Sequence, residues 1–410
     1  MVSGGARAVA RCDELGVAPY SDAPDMLFRA YLTPAHAAAL GKLAEWMHEA
    51  GMTVRTDAAA NLVGRYEGWR ALPPLIVGSH IDSVRDAGRY DGPLGVMLGI
   101  ETVAALHAAG KRPPFPIEIY AFGDEEGSRF PASMLTSRAV AGTLDAAELE
   151  VADRDGVTLA EALTASGLAA DRYLAAAHGP ALAYFEAHIE QGPVLEAAGL
   201  AVGVVTGIAS QLRYQISVAG SAGHAGTTTM PLRRDALTAA AQMVLTAERV
   251  AQDATSDVVA TVGRLTVAPG APNVIPGRVD FTLDVRSLDP ARRNAAAQAI
   301  LGECERIAVR RGAALTVEQV NDFAASPCDP KLMDLLSASL AAAGQSEFRL
   351  PSGAGHDAMT MAALCPTAML FLRCRGGVSH NPAEHVDPAD AEIALQVMLG
   401  FIERLGENVG

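Results

Sequence analysis

The chain has 410 residues, a length that suits two domains of ordinary size. Half of the residues are hydrophobic and 19% are charged, which supplies a core and excludes a disordered chain, a collagen and a small disulfide scaffold. The formal net charge is −15, because 47 acidic residues outnumber 32 basic ones, and this excess argues against nucleic-acid and anionic-membrane partners.

Membrane and export signals are also missing from the sequence pattern. No apolar run approaches the roughly 18–20 residues that span a bilayer. The initial segment MVSGGARAVARC has no sustained apolar stretch of the kind found in secretory signals. The five cysteines are scattered without a C-x-x-C pair, so neither a structural zinc site nor a disulfide framework is predicted. These features predict a cytoplasmic protein.

Helices and apolar strands alternate along the first part of the chain. A helix is predicted from Thr33–Pro34 to Gly51, because threonine is a good N-cap and proline suits the first helical position. Strands are predicted at 75–79, 117–122 and 182–187, and a helix from Pro93 to Gly110. This alternation predicts an α/β domain with a mixed, mostly parallel sheet.

A different order of elements follows residue 209. Strands are predicted at 212–219, 258–267, 278–286 and 314–320, and helices at 231–252 and 290–312. The resulting order, β-α-β-β-α-β, is that of a ferredoxin-like unit. We therefore predict a catalytic α/β domain of residues 1–209 and 327–410, interrupted by a smaller inserted domain of residues 210–326.

Five short segments place acidic residues and histidines at predicted strand ends or in the adjoining loops. They are GSHIDS (His80, Asp82), RYDGPLG (Asp91), GDEEGSRF (Asp124, Glu125, Glu126), EAHIEQG (His188, Glu190) and GGVSHNPAEH (His380, Glu384, His385). Each segment alone also fits an ordinary turn or a surface histidine. Ligands of open α/β sheets bind outside the strand ends, so the occurrence of all five segments in one chain predicts one polar site.

The series of motifs H-x-D, D-G-x-x-G, E-E-G-x-R-F and H-I-E-Q-G resembles the dinuclear zinc peptidase and amidohydrolase superfamily. GHAGTTTM, NVIPG, PSGAGHDA and SHNPAEH resemble its hydantoinase/carbamoylase branch, which includes N-carbamoyl-L-amino acid hydrolases and allantoate amidohydrolases. The resemblance extends over nearly the whole chain. It implies a hydrolase of linear C–N bonds that acts on a small ureido-carboxylate substrate, and a homodimer in which the inserted domain serves as lid and dimerisation domain.

The resemblance also implies a ligand set for two divalent metal ions. Asp91 would bridge the ions, one of which would be completed by His80 and His188, and the other by Glu126 and His380. Three histidines and two carboxylates suit zinc, and manganese, cobalt or nickel would also fit.

Roles in catalysis and substrate binding follow from the same resemblance. Glu125 would be the general base, His224 would stabilise the oxyanion from the lid, and Asp82 would orient the metal-bound His80 through its ring. Arg286 would hold the substrate carboxylate with its planar guanidinium. The residues implied for substrate binding are Gln191, Asn273, Arg286, Gly355 and His356. Asp357 is predicted to be a structural hydrogen-bond acceptor.

The sequence leaves alternatives open. N-carbamoyl-L-amino acids and allantoate both carry a ureido group and a carboxylate, so the sequence does not separate them. A second hypothesis is an aminoacylase or dipeptidase of the wider superfamily, and His188 argues against it because peptidase branches usually carry a carboxylate there. A third is a non-catalytic binding protein on the same scaffold, and the presence of Glu125 and of every candidate ligand argues against it.

Overall fold

In a computed structural model that describes residues 3–252 and 256–409, the chain divides into two compact units. The first unit contains the residues up to Thr206 and those from Cys328, and the second is Gly207–Pro327. We predicted borders after residues 209 and 326. The roles of the two units, as catalytic domain and as lid and dimerisation domain, stay predictions.

The elements are numbered in chain order. Those before the inserted unit are α1 (Gly4–Leu15), α2 (Pro34–Glu49), β1 (Thr53–Thr56), β2 (Leu62–Tyr66), β3 (Leu75–His80), α3 (Pro93–Ala108), β4 (Ile117–Phe122), α4 (Leu135–Val140), α5 (Leu159–Ala165), β5 (Ala183–Ile189), α6 (Val194–Ala198) and β6 (Val202–Ile208). Those that follow are β7 (Ser210–Ala219), β8 (Gly223–His224), α7 (Ala236–Ala251), β9 (Val259–Thr261), β10 (Leu265–Ala268), β11 (Val274–Ile275), β12 (Arg278–Ser287), α8 (Pro290–Arg311), β13 (Ala314–Phe323) and β14 (Ser326–Pro327). The last are α9 (Pro330–Ala342), β15 (Arg349–Ser352), α10 (Asp357–Met361), β16 (Thr367–Leu372) and α11 (Pro388–Val409).

The first unit is built on a mixed sheet with the strand order β1-β2-β4-β3-β5-β16-β6. Its central strands β4, β3, β5 and β16 are parallel to one another, whereas β1, β2 and β6 are antiparallel to their neighbours. The predicted α/β class is confirmed, but parallel pairing is limited to the centre. The predicted helix at Thr33 is also confirmed, since the Thr33 side chain accepts a hydrogen bond from the backbone of His36.

The core of the first unit lies on both faces of these central strands. Every residue of β3, β4, β5 and β16 is buried, as expected for strands covered by helices on two sides. Helix α3 is buried from Pro93 to Val103, and it packs so closely on β5 that a side chain at Gly95 would overlap the carbonyl oxygen of Ala187. The second glycine of D-G-x-x-G therefore permits this helix to approach the sheet.

The second unit contains an antiparallel sheet with the strand order β10-β12-β7-β13, and β9 also pairs with β12. Helices α7 and α8 contribute to its separate apolar core. The strand predicted at 258–267 is in fact two short strands. The helix predicted from residue 231 begins at Ala236, because the Asp235 side chain caps it and residues Met230–Leu232 form a separate short 3₁₀ turn.

Two further features concern the whole described chain. All five cysteines are buried with free thiols. Among the helices of the described residues, none combines the length and the apolar character required to cross a bilayer.

Candidate metal centre

The carboxyl ends of the parallel strands carry the predicted ligands. His80 is the last residue of β3, and His188 lies near the end of β5. Glu125 and Glu126 lie in the loop after β4, and His380 follows β16. Because parallel strands end at the same edge of a sheet, these side chains lie close together.

Asp91 is at the centre of this cluster. Its Oδ1 atom is 3.2 Å from Nε2 of His188 and 3.8 Å from Nε2 of His80. Its Oδ2 atom is 3.2 Å from Nε2 of His380, which is in turn 3.4 Å from Oε1 of Glu126. The two oxygens of one carboxylate therefore face two different groups of ligand-type atoms.

The donor atoms of these two groups fit divalent metal ions. His80, Asp91 and His188 each offer one atom within 4.8 Å of the others, and so do Asp91, Glu126 and His380. Within the described residues, Nε2 of His188 and Oδ1 of Asp91 are buried without a well-formed hydrogen bond although they face each other. Buried polar atoms are rarely left unpaired, so this arrangement fits a cation bound between them. Imidazole nitrogens and carboxylate oxygens are zinc ligands, and they also suit manganese, cobalt and nickel.

A third group of ligand-type atoms comes from Glu186, His188 and His356. The carboxylate of Glu186 is already satisfied, because it accepts hydrogen bonds from the hydroxyls of Ser79 (3.0 Å) and Tyr184 (3.1 Å) and from a backbone amide (3.0 Å). We therefore assign Glu186 to the support of β5 and not to a metal ion.

The loop that carries Asp91 requires its glycine. Gly92 has a φ of +85°, which disfavours other residues, and an added Cβ atom would lie 2.5 Å from Nδ1 of His80. The first glycine of D-G-x-x-G therefore allows Asp91 to sit against the His80 ring.

Asp82 holds the two consecutive glutamates in place. Its Oδ1 accepts a hydrogen bond from the backbone N–H of Glu125 (3.1 Å), and its Oδ2 accepts one from that of Glu126 (3.2 Å). Nδ1 of His80 is 3.5 Å from Oδ1 but 3.2 Å from the Asp82 carbonyl oxygen. The His80 ring thus lies nearer to the carbonyl than to the predicted carboxylate, because that carboxylate is engaged by the two amides.

Glu125 borders the first ligand group. Its Oε2 atom is 3.9 Å from Nε2 of His80, and its carboxyl group is buried. Burial raises the pKa of Glu125 well above its usual range. A carboxyl group with a raised pKa binds a proton more readily than an ordinary carboxylate, which suits a general base of hydrolysis.

The substrate-binding residues predicted in the first unit lie around the same cluster. Gln191 donates a hydrogen bond from Nε2 to Oδ2 of Asp91 at 2.8 Å. The His356 ring meets the His188 ring edge to face, with 4.5 Å between centroids. Burial lowers the pKa of His356 well below its usual range, so its imidazole is neutral. A Cβ atom added to Gly355 would be 4.0 Å from Oε1 of Glu125.

The remaining predicted residues lie in the second unit. His224 is exposed, and its strand β8 pairs with β11 directly after Asn273. Arg286 is near the far end of β12, eight residues from Arg278, and its guanidinium is paired with Asp284 at 2.8 Å. The strand thus separates Arg286 from the His224 and Asn273 segment by on the order of 25 Å. Within this unit, the structure brings together His224 and Asn273 but not Arg286.

Two residues of the cluster had no predicted role. The Ser379 hydroxyl donates to Oδ2 of Asp91 at 2.5 Å. Glu384 accepts hydrogen bonds from the backbone of Tyr90 and Asp91, and burial raises its pKa to about 7. Both lie in the segment GGVSHNPAEH with His380, where the sequence marks Glu384 as a polar candidate without a role and gives no signal for Ser379 beyond this proximity.

Asp357 differs from our expectation of a structural hydrogen-bond acceptor. Both of its carboxylate oxygens are buried, and neither has a well-formed hydrogen bond to the described residues. Burial raises the pKa of Asp357 to about 8, as expected for a carboxyl group in a site that disfavours its charged form.

Comparisons of the sequence and of the structure with known proteins agree with one another. The sequence model of "Peptidase family M20/M25/M40" matches residues 76–404. The chain is 44% identical over 369 residues to an N-carbamoyl-L-amino acid amidohydrolase of Geobacillus stearothermophilus, covering 89% of this chain and 90% of that protein. It is 38% identical over 429 residues to an allantoate deiminase of Arabidopsis thaliana, covering 97% and 81%. A crystal structure of a hydantoinase/carbamoylase family amidase from Burkholderia multivorans superposes with a TM-score of 0.91 at 34% identity, covering 98% of each chain.

Proposed function

Because the chain belongs to peptidase family M20/M25/M40 and is a hydrolase of linear C–N bonds, we propose that it cleaves the ureido group of a small carboxylate substrate. N-carbamoyl-L-amino acids and allantoate are the two substrate classes that we consider. The amidohydrolase of Geobacillus stearothermophilus and the deiminase of Arabidopsis thaliana, both named above, support this proposal.

The observation that carries the proposal is the position of Asp91 between two ligand groups. His80 and His188 would hold one divalent ion with Asp91, and Glu126 and His380 would hold the other. When bound, such a pair of ions polarises a carbonyl group and lowers the pKa of water, and zinc, manganese, cobalt and nickel can all do so.

Side chains of the protein would transfer a proton from the attacking water to the leaving nitrogen. Oε2 of Glu125 takes a proton from the attacking water and later delivers it to the leaving nitrogen. Its raised pKa, caused by burial, allows the proton to remain on Glu125 between these two steps. Asp82 keeps Glu125 in position, because it binds the backbone of that residue and of the next.

Substrate recognition would involve both units. The amide of Gln191 and the neutral ring of His356 offer hydrogen-bonding groups beside the cluster without adding charge. In the second unit, Arg286 would hold the substrate carboxylate, His224 would donate to the developing oxyanion, and Asn273 would assist in binding.

We further propose that the active enzyme is a homodimer. The length of β12 separates Arg286 from His224 and Asn273 within one chain. A small ureido acid is too short to contact both ends of this strand. If all three residues act on one substrate molecule, His224 and Asn273 must therefore come from a different chain than Arg286.

The test is release of ammonia from a panel of allantoate, N-carbamoyl-L-amino acids and N-acetyl-L-amino acids, measured with purified metal-loaded protein. We expect hydrolysis of at least one ureido substrate and little release of amino acid from the acetyl compounds. Preferential hydrolysis of the acetyl compounds would instead support the aminoacylase alternative, and inactivity towards all of them would refute the proposal.

A further inference from the structure

A cavity of about 490 Å³ lies beside the candidate metal centre in the first unit. Glu126, which we propose as a metal ligand, forms part of its lining, together with Phe28, Arg85 and Ser128. This volume is within the usual range for small-molecule sites. Because Glu126 belongs to both, the cavity adjoins the candidate metal centre.

The cavity lining contains three arginines and three carboxylates, and two of the arginines are paired with aspartates. Arg129 and Arg154 each have a neighbouring aspartate, at 3.1 Å and 3.7 Å respectively. Across the described residues, Arg85 has no carboxylate partner, and its guanidinium carbon lies 4.1 Å from the centroid of the Phe28 ring. Stacking occupies the face of the guanidinium and leaves the N–H donors in its plane available to a ligand.

The cavity lining contains a second polar group, a serine hydroxyl, that has no hydrogen-bond partner among the described residues. The hydroxyl oxygen of Ser128 is buried, and it has no hydrogen bond to any of the residues that the structure describes. Leaving a buried hydroxyl unpaired costs free energy, and a ligand with an acceptor oxygen would recover it. The cavity therefore offers an exposed arginine that packs on Phe28 and a buried hydroxyl, which together suit a carboxylate.

We propose that this cavity binds a second carboxylate of the substrate, held by Arg85 and Ser128. The enzyme then prefers N-carbamoyl derivatives of acidic amino acids over those with neutral side chains of similar length. This inference rests on the proposed function, because the cavity can select substrates only if Glu126 belongs to the reacting centre.

The experiment compares kcat/KM for N-carbamoyl-L-glutamate and N-carbamoyl-L-methionine. We expect the wild-type ratio to exceed one, and Arg85→Met to lower this ratio at least about tenfold, since a hydrogen bond to a charged group is lost. The matched control is Arg89→Met, an exposed arginine of the same loop that is outside the cavity lining. The control should keep the wild-type ratio.

Ser128→Ala provides a second measurement that does not depend on charge. It should lower the same ratio, whereas the melting temperature should stay equal or rise, because an unpaired buried hydroxyl is removed. A wild-type preference for the neutral substrate would overturn the inference, and so would a ratio that is insensitive to Arg85→Met. If neither compound nor any other ureido acid is hydrolysed, the proposed function itself is wrong.

Discussion

The backbone N–H of Asp91 donates a hydrogen bond of 3.1 Å to Oε1 of Glu384, a residue 293 positions away in sequence. The amide of Tyr90 donates to the same oxygen at 2.7 Å. A buried carboxylate from the segment after the inserted unit thus fixes the loop that carries the central residue of the candidate metal centre. Glu384 acts as a positioning residue for Asp91.

Replacing Glu384 tests this role. Glu384→Ala leaves two buried amides without an acceptor, so we expect a loss of about 1–3 kcal/mol in the free energy of unfolding. It should also weaken metal retention during dialysis, because Asp91 is no longer held. Glu384→Gln is the control, since its amide oxygen can still accept. Wild-type stability and metal content in the alanine variant would argue against the role.

Metal analysis examines the two ligand groups directly. Protein purified without chelator should contain about two divalent ions per chain, as expected of a two-metal hydrolase. A strong chelator should abolish activity, and added zinc, manganese, cobalt or nickel should restore it. Full activity at less than one ion per chain would contradict the dinuclear proposal.

Substitution of Glu125 and substitution of Glu126 should have different effects on kcat and on metal content. Glu125→Gln should retain the metal ions but lower kcat by about 10²–10⁴-fold, because a general base is removed. Glu126→Gln should instead lower the metal content, since a ligand is weakened. Elemental analysis alongside kcat separates the two effects. The reverse pattern would exchange the roles that we assign to these neighbours.

Subunit mixing tests whether His224 acts across a dimer. We expect Glu125→Gln and His224→Ala proteins each to be impaired, and their mixture to regain up to about a quarter of wild-type activity, because hybrid dimers have one intact site in two. A mixture of two differently tagged Glu125→Gln preparations is the control. If hybrids form and no activity returns, His224 does not act on the partner's site.

The ion pair of His178 with Glu118 predicts a pH effect outside the metal centre. Their Nε2 and Oε2 atoms are 3.0 Å apart, and this hydrogen bond raises the pKa of His178. Because the folded pKa exceeds the unfolded one, the stabilisation, about 1 kcal/mol for such a bond, is complete below about pH 6.5 and is lost as pH rises through the folded pKa. An NMR titration should place the His178 pKa above the usual range, and Glu118→Gln should move it back down. Titration of wild-type His178 at or below about 6.5 would disprove this.

Short sequence patterns explain which helices and which site residues could be predicted from the sequence. Thr33 and Pro34 mark a helix start by their own chemistry, and the ligand motifs follow apolar strands that are readily recognised. The start of α7 was predicted too early, because Pro231 was a plausible first helical residue whereas the Asp235 side chain forms the actual cap. The bond between Glu384 and Asp91 has no local pattern, since it joins distant segments. Arg85 and Ser128 become notable only in the fold, where, among the described residues, Arg85 has no carboxylate partner and the Ser128 hydroxyl has no hydrogen bond.

The parallel pairing of β5 with β16 has a consequence for synthesis on the ribosome. The Gly207–Pro327 unit is continuous in sequence and can fold as soon as it has emerged, as domains generally do during translation. Strand β5 must wait longer, because its neighbour β16 ends at Leu372, after that entire unit has been made. Until then, the nascent chain presents an apolar strand edge, the kind of surface that chaperones protect. His380 is translated later still, so the metal centre can be completed only after that residue has emerged.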